Sequence, residues 1–379
     1  MTNDQTTNPY YCPLIFNGMY VEKINQDKVK ISACCVNTLG PETDTIDFDN
    51  DLYLQSQREL VKAHKLVPGC DRCNSNSTTF SLRDSAISHF QNTPVDINEP
   101  RLTKLDWNVD PTCNARCIQC SAHFSSAWAA EDAVHGKIID VRATTYTRHN
   151  FVAESIDVSQ LTSLYFNGGE PMLSKEPLEF LRRIEKTGNI SKLNLSFNTN
   201  GSVKPSTEFM ELAARCKSVV VNFSLDGIGS AFEYIRNPLS WETVEQNIRW
   251  WNEQKIPTMG FNIAFVLGVY NIDIAEDTYN WYKDMSQTYK KMSGFVIQQC
   301  YGILALDYTS AKLKQVWAEK YIGDDYIHST IRSMLDKSPN AQKDEDWQRH
   351  LEMIDSRRKL DWTTCLPKLH EAWKNSQSL

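Results

Sequence analysis

From Leu105 onward the sequence alternates between short apolar runs and amphipathic stretches, and this alternation limits the fold more than any other feature. Six runs read as strands: "LTKLDWNVD" (102–110), "LTSLYFNGGE" (161–170), "SKLNLSFNTNG" (191–201), "SVVVNFSLDG" (218–227), "TMGFNIAFVLG" (258–268) and "GFVIQQCYG" (294–302). Each is rich in β-branched and aromatic residues and runs out into Gly, Asn or Asp. Between them lie helical patterns. "EPLEFLRRIEKTG" puts Leu178, Leu181 and Ile184 on one face, and "STEFMELAARC" opens on a Ser/Thr cap. "WETVEQNIRWWNEQ" and "IAEDTYNWYKDMSQ" follow. Strand, helix, strand, repeated about six times, predicts an α/β fold with parallel strands, either a partial (β/α)6 barrel or an open sheet. In such folds ligands sit at the carboxyl ends of the strands. Those ends here carry three cysteines, "NGGEP", "NTNGS" and "SLDG".

The flanks differ from this repeat. Residues 1–100 hold five cysteines and short strand-like pieces such as "KVKISACCV", with one long helical pattern around "DLYLQSQRELVKAH". They read as a separate small module. Residues 101–303 would form the βα domain, and 304–379 a helix-rich extension containing "DEDWQRHLEMIDSRRKLDW".

Net charge is −7 and no Lys/Arg block stands out. This argues against a protein whose main task is gripping a phosphate backbone. The N-terminus is polar, without the apolar core of a signal peptide, and no run of 18 apolar residues exists to span a membrane. A cytoplasmic location is expected. There the eleven cysteines are unsuited to disulfides, and their clustering points to metal ligation or redox chemistry.

In "VDPTCNARCIQCSAHFS", Cys113, Cys117 and Cys120 are spaced C-x3-C-x2-C. Three thiolates on an iron–sulfur cube leave one iron without a protein ligand. The other reading of these residues is a zinc site completed by a distant ligand such as His123. In the N-terminal region Cys12, the Cys34/Cys35 pair, and Cys70 and Cys73 of "GCDRCN" supply enough thiols for a four-thiolate site. Ligand type alone allows zinc or iron–sulfur there. Cys216, Cys300 and Cys365 read as plain core or surface thiols.

The three-cysteine loop after the first strand, followed by "FNGGEP" after the next, resembles the radical S-adenosylmethionine (SAM) superfamily over about Arg101–Gly302. The resemblance implies a radical SAM enzyme with a partial (β/α)6 barrel. Cys113, Cys117 and Cys120 would hold a [4Fe–4S] cluster whose open iron takes the amino and carboxylate groups of SAM. One electron then breaks the SAM carbon–sulfur bond, and the 5′-deoxyadenosyl radical abstracts a hydrogen atom. Gly168, Gly169, Glu170 and Pro171 fall where the family contacts the SAM amino group. Asn198 and Asn200 of "FNTNG", and Ser224 and Asp226 of "FSLDG", fall where it contacts the methionine or ribose part, although each could equally be a cap or turn residue. Gln119 departs from the apolar residue usual before the third cysteine.

The N-terminal pattern, "CPLIFNGMYVEKINQDKVKISACC" followed by "CDRC", is similar to the auxiliary-cluster modules of SPASM and twitch enzymes, placed before the barrel. It implies an auxiliary [4Fe–4S] cluster on Cys12, Cys34, Cys70 and Cys73, with Cys34 aligning better than Cys35. Expected partners are a flavodoxin- or ferredoxin-type electron donor and a peptide or small amino-acid- or alcohol-type substrate. The alternative is modification of a nucleotide or nucleic acid, for which Arg332, Arg357, Arg358 and Lys359 would supply a basic groove.

Overall fold

A computed structural model of the chain describes residues 8–24, 28–37, 39–74, 81–91, 95–108, 110–137, 156–339 and 344–379. All six expected strands form. They are β4 (Lys104–Asn108), β5 (Ser163–Phe166), β6 (Asn194–Thr199), β7 (Ser218–Ser224), β8 (Met259–Leu267) and β9 (Met292–Gln299), preceded by β1 (Gly18–Lys23), β2 (Val29–Ser32) and β3 (Glu42–Thr43). The expected helices lie between them, at Glu176–Lys186, Thr207–Ala213, Trp241–Glu253 and Ala275–Thr288. The result is an α/β fold with a mostly parallel sheet.

The chain divides into two units. The first comprises Met1–Thr112, Asp140–Phe197 and Pro205–Val219. Its strands run in the order β3-β2-β1-β4-β5-β6. β1 and β2 are an antiparallel pair, while β1 lies parallel to β4, from Gly18 opposite Lys104 to Glu22 opposite Asn108. β4, β5 and β6 continue in parallel register, with Lys104 opposite Ser163 and Ser163 opposite Asn194. The cysteine-rich N-terminal region therefore adds a strand to the βα sheet. It also has its own apolar cluster, with Leu14, Ile15, Phe16, Val61, Val67 and Phe90 buried together. The two units do not follow the boundaries at 100 and 303.

The second unit comprises Cys113–Ile139, Asn198–Lys204 and Val220–Leu379. It holds most of β7, then β8 and β9 in that order. β8 and β9 pair in parallel, with one irregularity between Phe261 and Asn262. Along β8 buried and half-buried residues alternate strictly, as a strand with one face on a core requires. Met259, Phe261, Ile263, Phe265 and Leu267 form the buried set. The tail is helical as expected, with helices at Ala311–Lys320, Tyr326–Lys337, Glu345–Arg358 and Pro367–Gln377.

Candidate metal centre

The three-cysteine loop is held by its own backbone. Ser125 caps the helix Ser126–Val134, accepting from the Trp128 N–H at 3.3 Å, while its hydroxyl donates to the Ala115 carbonyl at 2.6 Å. The Trp128 indole N–H donates to the Cys117 carbonyl at 2.7 Å. The amides of Arg116 and Ile118 donate to the carbonyls of Asn237 and Ile235, at 2.7 and 2.9 Å. Ring nitrogen Nε2 of His350 sits 3.1 Å from the Ile118 carbonyl. With its polar backbone groups paired in this way, the loop can keep one shape in a buried setting.

Cys117 is buried, and Cys113 and Cys120 are half-buried. N–H donors point at two of the sulfurs: the Ala115 amide at 3.4 Å from Cys113 Sγ, and Arg236 Nη1 at 3.6 Å from Cys117 Sγ. Burial pushes the Cys120 thiol up to about 12, and the neighbouring Cys117 and Cys113 add to the rise. Burial also raises Cys117, against the pull of Arg236. Thiols that resist ionisation together become thiolates when a cation is shared among them. This donor set suits an iron–sulfur cluster: three soft sulfurs on a braced loop, two with N–H donors aimed at them. Among the described residues, no group of three or more His, Cys, Asp or Glu side chains is placed to hold a single metal ion. His123 packs edge-on against Phe124, their ring centres 4.3 Å apart.

Two side-chain networks brace the loop; sequence reasoning pointed to Asn200, Asp226 and Gln119 among their members and missed Asn114, Ser202 and Arg236. Asn114 accepts from Asn200 Nδ2 at 2.9 Å and donates to the Ser202 hydroxyl at 3.0 Å. Asn200 Oδ1 in turn accepts from Ser202. Asp226 is fully buried. Its Oδ1 accepts from the Val266 amide at 2.8 Å, and its Oδ2 accepts from Arg236 at 2.6 Å and from Gln119. Burial raises the Asp226 carboxyl, and Arg236 opposes that rise. Gln119, the departure from the family pattern, thus spends its amide on Asp226. Asn271 braces the neighbouring turn, its Nδ2 donating to the carbonyls of Asp226 and Val266.

The "NGGEP" turn follows β5 in the first unit. Gly168 and Gly169 have φ of +80° and +53°. A Cβ on Gly169 would lie 2.4 Å from the Asp110 carbonyl oxygen and 2.7 Å from that of Thr112. Only glycine allows this approach to the backbone leaving β4. The Glu170 amide donates to the Thr112 carbonyl at 2.7 Å. Its side chain is 1% exposed and accepts from the Met172 amide at 3.1 Å. A solvated turn glutamate is therefore excluded. Pro171 is buried, Asn198 lies in β6, and Ser224 ends β7 half-buried.

In the first unit, Cys12, Cys34, Cys70 and Cys73 line one cavity, together with Tyr10, Leu14 and Val67 among others. Cys35 is exposed and does not line it. Burial and then Cys34 push the Cys12 thiol well above its ordinary value, with Cys70 and Cys73 contributing. Burial, Cys34 and Cys73 push Cys70 up to about 12. Of the adjacent pair, Cys34 lies on the cavity wall and Cys35 does not.

Three of the four residues expected to form a basic groove have partners inside the second unit. Arg358 pairs with both oxygens of Glu131 at 3.0 Å. Arg357 pairs with Asp132 at 2.7 Å. Arg332 donates to the Tyr321 and Gly323 carbonyls. Lys359 is exposed at the end of its helix.

Residues 107–282 match the family model described as the Radical SAM superfamily, which supports that superfamily for this segment. A GTP 3′,8-cyclase of Geobacter sulfurreducens is 27% identical over 186 residues, or 48% of this chain and 52% of that protein. The chain thus spans about half the length of the curated relative it matches. Among solved structures, anSMEcpe with bound AdoMet and a Cp18Cys peptide is 19% identical, with a TM-score of 0.35, over 58% of this chain and 60% of the other. Streptococcus suis SuiB bound to S-adenosylmethionine is 13% identical, with a TM-score of 0.35, over 82% and 70%.

Proposed function

We propose that this chain is a radical SAM enzyme whose Cys113, Cys117 and Cys120 hold a [4Fe–4S] cluster with one open iron. The match of residues 107–282 to the superfamily model carries this reading. The sulfur donors on the braced loop support it. When bound, the cluster supplies one electron to SAM, which yields methionine and a 5′-deoxyadenosyl radical for hydrogen abstraction. The chain's own residues position and shield. Glu170, held by the Gly168–Gly169 turn and followed by the buried Pro171, accepts from the SAM ammonium as a charge-assisted bond. Asn198 and Ser224 contact the methionine or ribose part. Asn200 and Asp226 act one step back, fixing Asn114 and Gln119 of the cysteine loop.

Cys12, Cys34, Cys70 and Cys73 hold an auxiliary four-iron cluster, in the manner of the twitch and SPASM modules. A four-thiolate cluster has no open iron, so its role is electron transfer. Such a site suits a net oxidation of a peptide or small amino-acid- or alcohol-type substrate, with a flavodoxin- or ferredoxin-type protein as donor and the cytoplasm as setting. A second reading, a nucleotide substrate, has one observation in its favour: the relative named GTP 3′,8-cyclase. The internal pairing of Arg332, Arg357 and Arg358 weighs against a long nucleic acid. No helix among the described residues is long and apolar enough to cross a membrane.

Iron and acid-labile sulfide counted after anaerobic reconstitution test the assignment. About eight of each per chain are expected, falling to about four in Cys34→Ser and staying at about eight in Cys35→Ser. Bound zinc with negligible iron would overturn the reading.

A further inference from the structure

We propose that Arg236 sets the reduction potential of the cluster on Cys113, Cys117 and Cys120, acting as a positioning residue through the Cys117 sulfur. The inference rests on the cluster reading above. Arg236 follows the helix Gly229–Ile235 and is 7% exposed. Its Nη1 donates to Cys117 Sγ at 3.6 Å and its Nη2 to Asp226 Oδ2 at 2.6 Å. Asp226 cannot swing away, because the Val266 amide and the Gln119 side chain also bind it. The guanidinium is therefore fixed, and it is the cationic member of the pair that reaches the sulfur. Arg236 Nε is buried and has no acceptor among the described residues. A buried guanidinium N–H without a partner is costly, and sulfur of a bound cluster would satisfy it.

Reduction adds one negative charge to a cluster, spread over iron, sulfide and thiolate. N–H donors to sulfur and a nearby cation stabilise that charge and raise the potential. In a buried site water screens this effect little. An ion pair serving stability alone would leave the potential unchanged.

The test is an anaerobic redox titration of the reconstituted full chain, following the electron paramagnetic resonance signal that changes when SAM is added. That choice separates this cluster from the auxiliary one. Two variants are compared with the wild type. Arg236→Gln/Asp226→Asn removes both charges and leaves no unpaired buried ion; Arg236→Lys keeps charge without the planar fork. The expected result is a lower potential in the double variant, with the reduction equilibrium constant down about tenfold, or about 59 mV for one electron. Arg236→Lys should lie between. Potentials equal to wild type in both variants would overturn the inference. Should the double variant not fold, Arg236→Lys, which keeps the charge beside Asp226, carries the comparison alone, and a wild-type potential in it would overturn the inference. A wild-type chain that takes up no iron would bring down the cluster reading itself, a result distinct from either.

Discussion

At Gly169 an added methyl group meets backbone on two sides. Its φ of +53° is a left-handed conformation, and a Cβ there would press on two carbonyl oxygens of the segment leading into Cys113. Gly188 provides the comparison, since its φ is +77° but a Cβ would meet nothing within 4 Å. Gly188→Ala is expected to cost about 1 kcal/mol from backbone strain alone. Gly169→Ala adds the collision, for about 1–3 kcal/mol in total, and displaces Glu170. Urea denaturation of the two variants checks this, and equal losses would show that the close approach at Gly169 has no weight. The glycines, Glu170 and the three cysteines were legible in the sequence because their signal is local spacing. Arg236 was not legible. Its partner Cys117 lies 119 positions away, and nothing near "YIRNP" marks that arginine as different from any other.

Among the elements, the helix Glu345–Arg358 carries an ion pair onto the helix that follows the cysteine loop. Arg358 binds Glu131 through two hydrogen bonds and stacks over Trp128, and Arg116 of the loop shares the same carboxylate. The side chains of Glu131 and Arg358 are 4% and 2% exposed. Removing one partner of so buried a pair leaves an uncompensated charge, and Glu131→Ala is expected to cost about 3–5 kcal/mol. Burial raises the Glu131 carboxyl, but Arg358 and then Arg116 outweigh that and hold it below its ordinary value. A depressed carboxyl contributes stability above its unfolded value of 4.5, and the contribution is lost as pH falls through the folded value. The stability gap between wild type and Glu131→Gln should therefore persist from pH 7 to about 4.5 and close below it. Denaturant midpoints across that range test the sign, and a gap that widens in acid would refute it. The strands were readable in advance because period-two burial leaves its trace in each short run, as along β8. The basic run "SRRK" left the partners of Arg357 and Arg358 unread because charge in sequence does not say which side of a helix finds a partner.

At the scale of the whole molecule, two thiol groups of different count sit in one α/β chain. The four N-terminal thiols share a cavity beside their own apolar cluster. The strand that follows Cys12 pairs with β4, the strand that leads into the three-cysteine loop. The sequence showed the cysteine pattern of this region but not that pairing, which depends on register with a strand more than eighty residues later. The central claim is that the three-thiol site takes SAM and cleaves it. The most direct measurement is 5′-deoxyadenosine released from SAM by the reconstituted, chemically reduced protein, alongside Cys113→Ala, Cys117→Ala and Cys120→Ala. Release by the wild type and loss in each variant is the predicted result. An iron-replete, reduced wild type that leaves SAM intact would contradict it.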